Sequence, residues 1–276
     1  MKNKMIRVFL CGDVFGPVGM RCVSHLLPAL IRDESIDFTV VNGENASNGI
    51  GLSAEDARIL LDAGADVITG GNHTFEKRDY WPALDSIPGL IRPANYPESC
   101  EEDGETAVPG KGSIVVEKNG VRFAVLNLQG REDMIPLDCP FRAAKSQVSA
   151  WLKEDIAPII LVDFHAESSE EKEALAFFLA GKASAVIGTH THVQTADERI
   201  LSGFTAYMTD LGMVGPIRSV IGVDPEYAIK RNITQVLYRM EPHESRGALR
   251  GLIVDIDPAD RKAVSVSRID IPEPQA

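Results

Sequence analysis

The first quarter of the chain alternates apolar runs with helical patterns, and that order restricts the fold more than any other feature of the sequence. Ile6-Arg7-Val8-Phe9-Leu10-Cys11 is a nearly continuous apolar run closed by Gly12, the pattern of a strand buried on both faces. Pro17 opens an amphipathic pattern through Val18, Cys22, Leu26, Leu27 and Leu30, as suits proline at a first helical position. Phe38-Thr39-Val40-Val41 predicts a second buried strand, Ser53 to Gly64 a helix with an acidic first turn, and Ala65 to Thr69 a third strand. The order β-α-β-α-β calls for a parallel sheet.

The remainder is richer in strands. Gly112 to Glu117 and Val121 to Asn127 flank Asn119-Gly120, whose preference for positive φ marks a tight hairpin. A helix is expected over residues 141–154, a strand over Pro158 to Val162, and a helix from Ser168 to about Gly181. Further strands are expected at Ala183 to Ile187, Thr205 to Thr209, Leu252 to Ile256 and Ala263 to Ser267. Met213 to Ile229 reads as a long connection bearing Gly and Pro, of the kind that forms lids or interfaces. No internal repeat or linker divides the chain, so a single domain over residues 1–276 is expected.

The residues just past the predicted strands are chemically selective. Asp13, Glu44, Asn72, His165, and His190 with His192 all stand at strand ends, where open α/β sheets place their ligands. Four of the six histidines (His73, His165, His190 and His192) fall in these stretches. Carboxylate, amide oxygen and imidazole without thiolate suit iron, manganese or zinc better than calcium. Two such ions, about 3.5–4 Å apart, stabilise both oxygens of an in-line phosphoryl displacement, and metal lowers the pKa of bound water toward ~7. The expected class is therefore a two-metal phosphoesterase, with Glu44 the candidate bridging carboxylate. His73, beside Asn72, is kept out of the ligand shell as the group that protonates the leaving oxygen. If the backbone turns at Thr191, His190 and His192 both reach a metal pair.

Plainer assignments compete at single positions. Asp13 alone could cap the helix opened by Pro17, Glu167 reads as part of the Ser168 cap with a supporting bond to His165 as the other reading, and His25 and His243 read as structural. A nucleotide loop is not indicated, because neither G-x-x-x-x-G-K-[ST] nor G-x-G-x-x-G occurs. A Gly-Asp-Ser-type esterase is disfavoured by Val14, which stands where the serine is needed.

Net charge is −12 over 276 residues, which opposes non-specific adhesion to nucleic acid or anionic membrane. An anionic substrate must then be held by bound cations or backbone dipoles. The cysteines Cys11, Cys22, Cys100 and Cys139 form no C-x-x-C pair and are read as free thiols of a reducing compartment. No apolar stretch approaches the ~18 residues of a membrane span, and no signal-peptide core follows Met1. A cytoplasmic location is expected.

Gly12-Asp13-Val14-Phe15-Gly16, Asn42-Gly43-Glu44-Asn45-Ala46, Gly71-Asn72-His73-Thr74-Phe75, Asp163 to Glu167 and Gly188 to Asp197 resemble the calcineurin-like metallophosphoesterases, and more closely their bacterial YmdB-like subgroup. The broad family's Asp-x-His is here Asp13-Val14-Phe15, and its second Asp is Glu44. The resemblance implies an α/β/β/α sandwich and a di-iron or di-manganese centre. It implies Asp13, Glu44, Asn45 and His192 at one ion and Glu44, Asn72, His165 and His190 at the other, with His73 the proton donor. It further implies phosphodiesterase activity on 2′,3′-cyclic nucleotides, a link to RNA turnover, and self-association. A phosphomonoesterase or nucleotidase with the same metals, or a regulatory protein sensing nucleotide, stands as the alternative.

Overall fold

The computed structural model describes residues 4–97, 107–154 and 158–275; Cys100 lies outside them. Ile6–Phe15 forms β1, and α1 (Gly16–Asp33) follows with Pro17 in its first turn. β2 (Phe38–Asn45), α2 (Ala54–Asp62) and β3 (Val67–Thr69) complete the opening unit. Ser53 caps α2 by accepting from the Asp56 N–H, and Gly64 ends the turn after it at φ 112°. A short α3 (Trp81–Ser86) leads to the hairpin of β4 (Ser113–Lys118) and β5 (Val121–Gln129). Asn119 and Gly120 both take positive φ, 53° and 76°, as the two-residue turn requires.

Then come α4 (Pro140–Trp151), β6 (Ile159–His165), α5 (Ser169–Leu179) and β7 (Ala185–Thr189). The Ser168 hydroxyl accepts from the Glu171 N–H to cap α5. β8 (Arg199–Leu201), β9 (Thr205–Met208), β10 (Met213–Pro216), α6 (Pro225–Thr234), β11 (Gly247–Asp257) and β12 (Lys262–Pro272) finish the chain.

The strands make two sheets, ordered β12-β11-β10-β1-β2-β3 and β4-β5-β6-β7-β9-β8. β1, β2 and β3 run parallel, as do β5, β6, β7 and β9. One apolar cluster lies between the sheets, with Val8, Leu10, Phe38 and Val254 from the first and Phe123, Leu161, Ile187 and Met208 from the second. Phe38 and Phe123 stack there with ring centroids 4.1 Å apart. A second cluster packs α1, α2 and α3 on the outer face of the first sheet, and a third packs α4 and α5 on the second. The result is the four-layer α/β/β/α sandwich.

Two expectations need correction. Met213 to Ile229 is not one long connection. Met213–Pro216 is fully buried as β10, paired parallel to β1 (Asp13↔Met213) and antiparallel to β11 (Gly215↔Ala248), while Pro225 starts α6. Glycine and proline hid a four-residue strand too short for a periodicity argument. β11 pairs directly with the first half of β1, from Ile6 to Cys11, and β10 enters where the two diverge, alongside the end of β1 that carries Asp13. Asp13 does not cap α1 either: the N-cap position is Phe15, with no side-chain bond. No helix among the described residues is long and apolar enough to cross a membrane. Cys11 and Cys22 are buried free thiols, and burial pushes both thiols well up, Cys22 to about 12, so neither is a ready nucleophile.

Candidate metal centre

The parallel strands of both sheets end on the same side, and there the predicted residues meet. Asp13 sits near the end of β1, Glu44 and Asn45 close β2, Asn72 and His73 follow β3, and His165 is the last residue of β6. His190 and His192 follow β7 in a turn, with φ of 104° and 65°. Left-handed backbone at a residue other than glycine costs of order 1–3 kcal/mol and persists only where its surroundings impose it. Here the His190 N–H donates to Asp13 Oδ2 at 3.1 Å, and the Thr191 N–H and hydroxyl both donate to Asp210 Oδ2, at 3.1 and 2.8 Å. Asp210 is in turn held by the buried Lys172 ammonium at 2.7 Å. The turn that brings both imidazoles inward is thus tied to each sheet.

Each histidine's outer nitrogen has its own partner. The Thr189 hydroxyl donates to Asp163 Oδ1 at 2.8 Å, so it accepts from His165 Nδ1 at 3.0 Å. Asp163 is fixed by Asn42 Nδ2 at 3.0 Å and by the Thr69 hydroxyl. His190 turns Nε2 to Glu167 Oε2 at 3.1 Å, and His192 gives Nδ1 to the Ile221 carbonyl at 2.9 Å. With those hydrogens committed outward, His165 Nε2, His190 Nδ1 and His192 Nε2 face inward, the arrangement by which metal-ligating histidines are oriented.

Their surroundings are acceptor-rich. His165 Nε2 lies 2.9 Å from Asn72 Oδ1, 3.0 Å from His190 Nδ1 and 3.3 Å from Glu44 Oε1. A single imidazole hydrogen can serve only one of these three acceptors. Donor atoms of Glu44, His165 and His190 all lie within 4.8 Å of one another. Asp13 Oδ1, fully buried and 3.6 Å from His165 Nδ1, has no hydrogen-bond partner among the described residues. Buried lone pairs crowded together and an orphaned buried carboxylate oxygen are costly unless a cation sits among them. The residues fit a metal centre.

The protonation pattern agrees. Burial opposes ionisation of Glu44, yet the His165 charge and hydrogen bond, with His73, hold its carboxyl down at about 2. Burial would depress His165, but Glu44 and Asp13 raise it to about 9. Burial and the neighbouring His165 push His190 down to about 3, and burial lifts Asp13 to about 6. Without an ion, the His165 imidazolium is the cation that balances these acids; a metal would take its place and release its proton.

Asn45 reaches the cluster through Nδ2, 2.6 Å from Glu44 Oε1 and 3.2 Å from His192 Nε2. To serve as an oxygen donor it must present Oδ1 there, an exchange made by a half-turn of the amide. His73 is outside the cluster. Its N–H donates to Glu44 Oε2 at 2.9 Å, while its ring is part-exposed with Nδ1 3.6 Å from Glu76 Oε1. Glu167, expected as part of a cap, instead faces His190, and Ser168 makes the cap alone. His25 is exposed on α1, and His243 pairs with Asp224 at 3.3 Å, away from the centre. Sequence reasoning passed over Asp163, Thr189, Asp210 and Lys172. The one signal was Asp163, an acid inside an otherwise apolar strand; a lysine on the apolar face of α5 gives none.

A four-layer sandwich carrying an N/O donor cluster at its strand ends defines a metallophosphoesterase of the calcineurin-like class. The family model described as YmdB-like protein matches residues 9–269. The chain is 44% identical over 264 residues to a 2′,3′-cyclic-nucleotide 2′-phosphodiesterase of Bacillus subtilis (strain 168), covering 96% of both chains. A crystal structure of a hypothetical protein from Thermus thermophilus superposes with a TM-score of 0.87 at 36% identity, covering 98% of this chain and 100% of that one. A novel phosphatase of Mycoplasma pneumoniae superposes with a TM-score of 0.88 at 32% identity, covering 98% and 94%. The chain belongs to the YmdB-like family.

Proposed function

We propose that the protein is a di-metal phosphodiesterase that hydrolyses 2′,3′-cyclic nucleotides. The observation that carries the reading is the set of acceptors around His165 Nε2, with Asp13 Oδ1 left without a partner beside them. The activity named for the Bacillus subtilis relative supports the substrate class. Asp13, Glu44, Asn45 and His192 would hold one ion and Glu44, Asn72, His165 and His190 the other, with Glu44 shared. Iron or manganese is the pair we favour, and zinc also suits these donors. When bound, the ions supply Lewis-acid charge and a hydroxide at neutral pH.

The chain's own residues do the rest. Thr189, Glu167 and the Ile221 carbonyl hold the three imidazoles with lone pairs inward. His73, anchored through its N–H to Glu44 but free of the cluster, protonates the departing ribose oxygen, a contribution of ~10²–10⁴-fold. We further read residues 1–276 as one unit, since one core joins the two sheets. A cytoplasmic location is supported by the buried free thiols. Self-association and a link to RNA turnover belong to the same reading, the former supported by exposed Ile229, Ile233 and Leu237 along and just after α6.

The test is elemental analysis of protein purified under nitrogen, paired with turnover of 2′,3′-cAMP. Two ions per chain are expected in the wild type, fewer in His165→Ala, and two with little turnover in His73→Ala. Metal with hydrolysis of monoesters alone would replace the diesterase by a phosphomonoesterase. Failure to take up iron or manganese on reconstitution would end the mechanism.

A further inference from the structure

A cleft of 520 Å³ opens beside His192 and is lined by Gln194, Ser219, Arg250, Arg268 and Asp270 among others. That volume is within the ~300–1,000 Å³ of small-molecule sites. In a chain of net charge −12, two guanidinium groups lining a cavity next to the metal centre need a reason. Arg250 and Arg268 come from the paired strands β11 and β12, where Arg250 stands opposite Asp270 and Arg268 opposite Leu252. Arg250 is held by Asp270 Oδ1 at 3.0 Å and by the Met213 carbonyl at 3.3 Å. Met213 is the register partner of Asp13, so Arg250 is anchored to the strand beside a site carboxylate. Arg268 donates to the Thr195 carbonyl at 3.0 Å, three residues beyond His192, with Glu198 at 3.7 Å.

The arginines are not fully spent on these partners. A guanidinium has five N–H donors, and each of these retains donors that no group among the described residues takes. Arg250 is only 18% exposed whereas Asp270 is 53% exposed, so solvent screens the carboxylate more than the cation. Spare planar donors on preorganised arginines suit a phosphate.

Building on the phosphodiesterase reading, we propose that this cleft binds a second phosphate of the substrate. Preferred substrates then carry a 5′-phosphate on the nucleoside whose 2′,3′-cyclic phosphate is opened. A 5′-phosphorylated mononucleotide and the last nucleotide of an oligoribonucleotide both offer that group.

Three substrates test it: 2′,3′-cAMP, its 5′-phosphorylated form, and a diadenylate ending in a 2′,3′-cyclic phosphate. The wild type is expected to show a KM about tenfold lower for the two carrying a 5′-phosphate, the effect of ~1.4 kcal/mol from a charge-assisted contact. Arg268→Gln and Arg250→Gln should bring the ratio of kcat/KM values between substrates close to one. A preference for the diadenylate alone would still place a phosphate here but assign it to the internucleotide linkage. No preference in the wild type, or one that both variants keep, overturns the proposal and leaves a cross-strand ion pair. Binding is read separately, as the Kd of adenosine 3′,5′-bisphosphate against adenosine 3′-phosphate. Arg-dependent tighter binding of the bisphosphate without turnover of any diester would keep the subsite and discard the phosphodiesterase. Equal binding of both would discard the subsite whatever the turnover.

Discussion

Glu167 Oε2 lies 3.1 Å from His190 Nε2, and the other nitrogen of that ring points at His165 Nε2, 3.0 Å away. A half-exposed carboxylate on the loop before α5 therefore decides which nitrogen of a candidate ligand carries its hydrogen. Glu167→Ala should weaken metal binding about 10–100-fold, the usual effect of removing such a partner. Glu167→Gln should lose far less, because its amide oxygen accepts the same hydrogen. Chelator competition followed by metal analysis separates the two, and equal loss in both variants would point to charge rather than orientation.

Gly71 makes a second prediction about the centre. A Cβ built at this position would overlap the His165 ring and stand 2.5 Å from Glu44 Oε2. Neither neighbour can move, since both are fully buried and hydrogen-bonded on other sides. Gly71→Ala should fold, with far-UV circular dichroism close to wild type, yet bind less than two ions per chain. Full metal content would show that the loop after β3 yields.

How much of this the sequence carried differs between parts of the molecule. Asp13, Glu44, Asn72, His165, His190 and His192 could be found because each follows a buried apolar run, and such runs end on one side of a parallel sheet. The caps at Ser53 and Ser168 and the turn at Asn119-Gly120 were visible because local chemistry alone decides them. β10 was not, since its four residues Met213–Pro216 become a strand only by filling the gap between β1 and β11. Nor were the supports of the histidines. Thr189 stands 26 positions from Asp163, Asp163 121 from Asn42, and Asp210 19 from Thr191 and 38 from Lys172, and no local pattern encodes such separations.

The Lys172–Asp210 pair is one of those supports, with both side chains 1% exposed. Asp210 also accepts from Thr191 and from the Gly212 N–H at 2.8 Å. Removing one partner leaves an uncompensated buried charge, which costs ~3–5 kcal/mol. Lys172→Met should lower the free energy of unfolding in urea by that order. A loss under ~1 kcal/mol would mean that Asp210 is satisfied by its hydrogen bonds alone.

A final prediction concerns acid stability far from the centre. Asp255 on β11 receives Arg7 Nε at 2.7 Å and Nη2 at 3.1 Å from β1, and the Ser265 hydroxyl at 2.8 Å from β12. The Arg7 hydrogen bonds hold its carboxyl below the usual range, against partial burial, with Ser265 adding to the effect. A carboxyl with a depressed folded-state pKa binds fewer protons than in the unfolded chain, so stability rises with pH through that window. The contribution is fully present above the unfolded value of ~3.9 and is lost as pH falls through the folded one. Asp255→Asn should therefore be less stable than wild type at about pH 6, and the gap should narrow between about pH 4 and the acid limit of folding. Melting temperatures of both proteins across that range check it. A gap that stays constant with pH would assign the loss to packing of the Arg7 side chain, not to its charge.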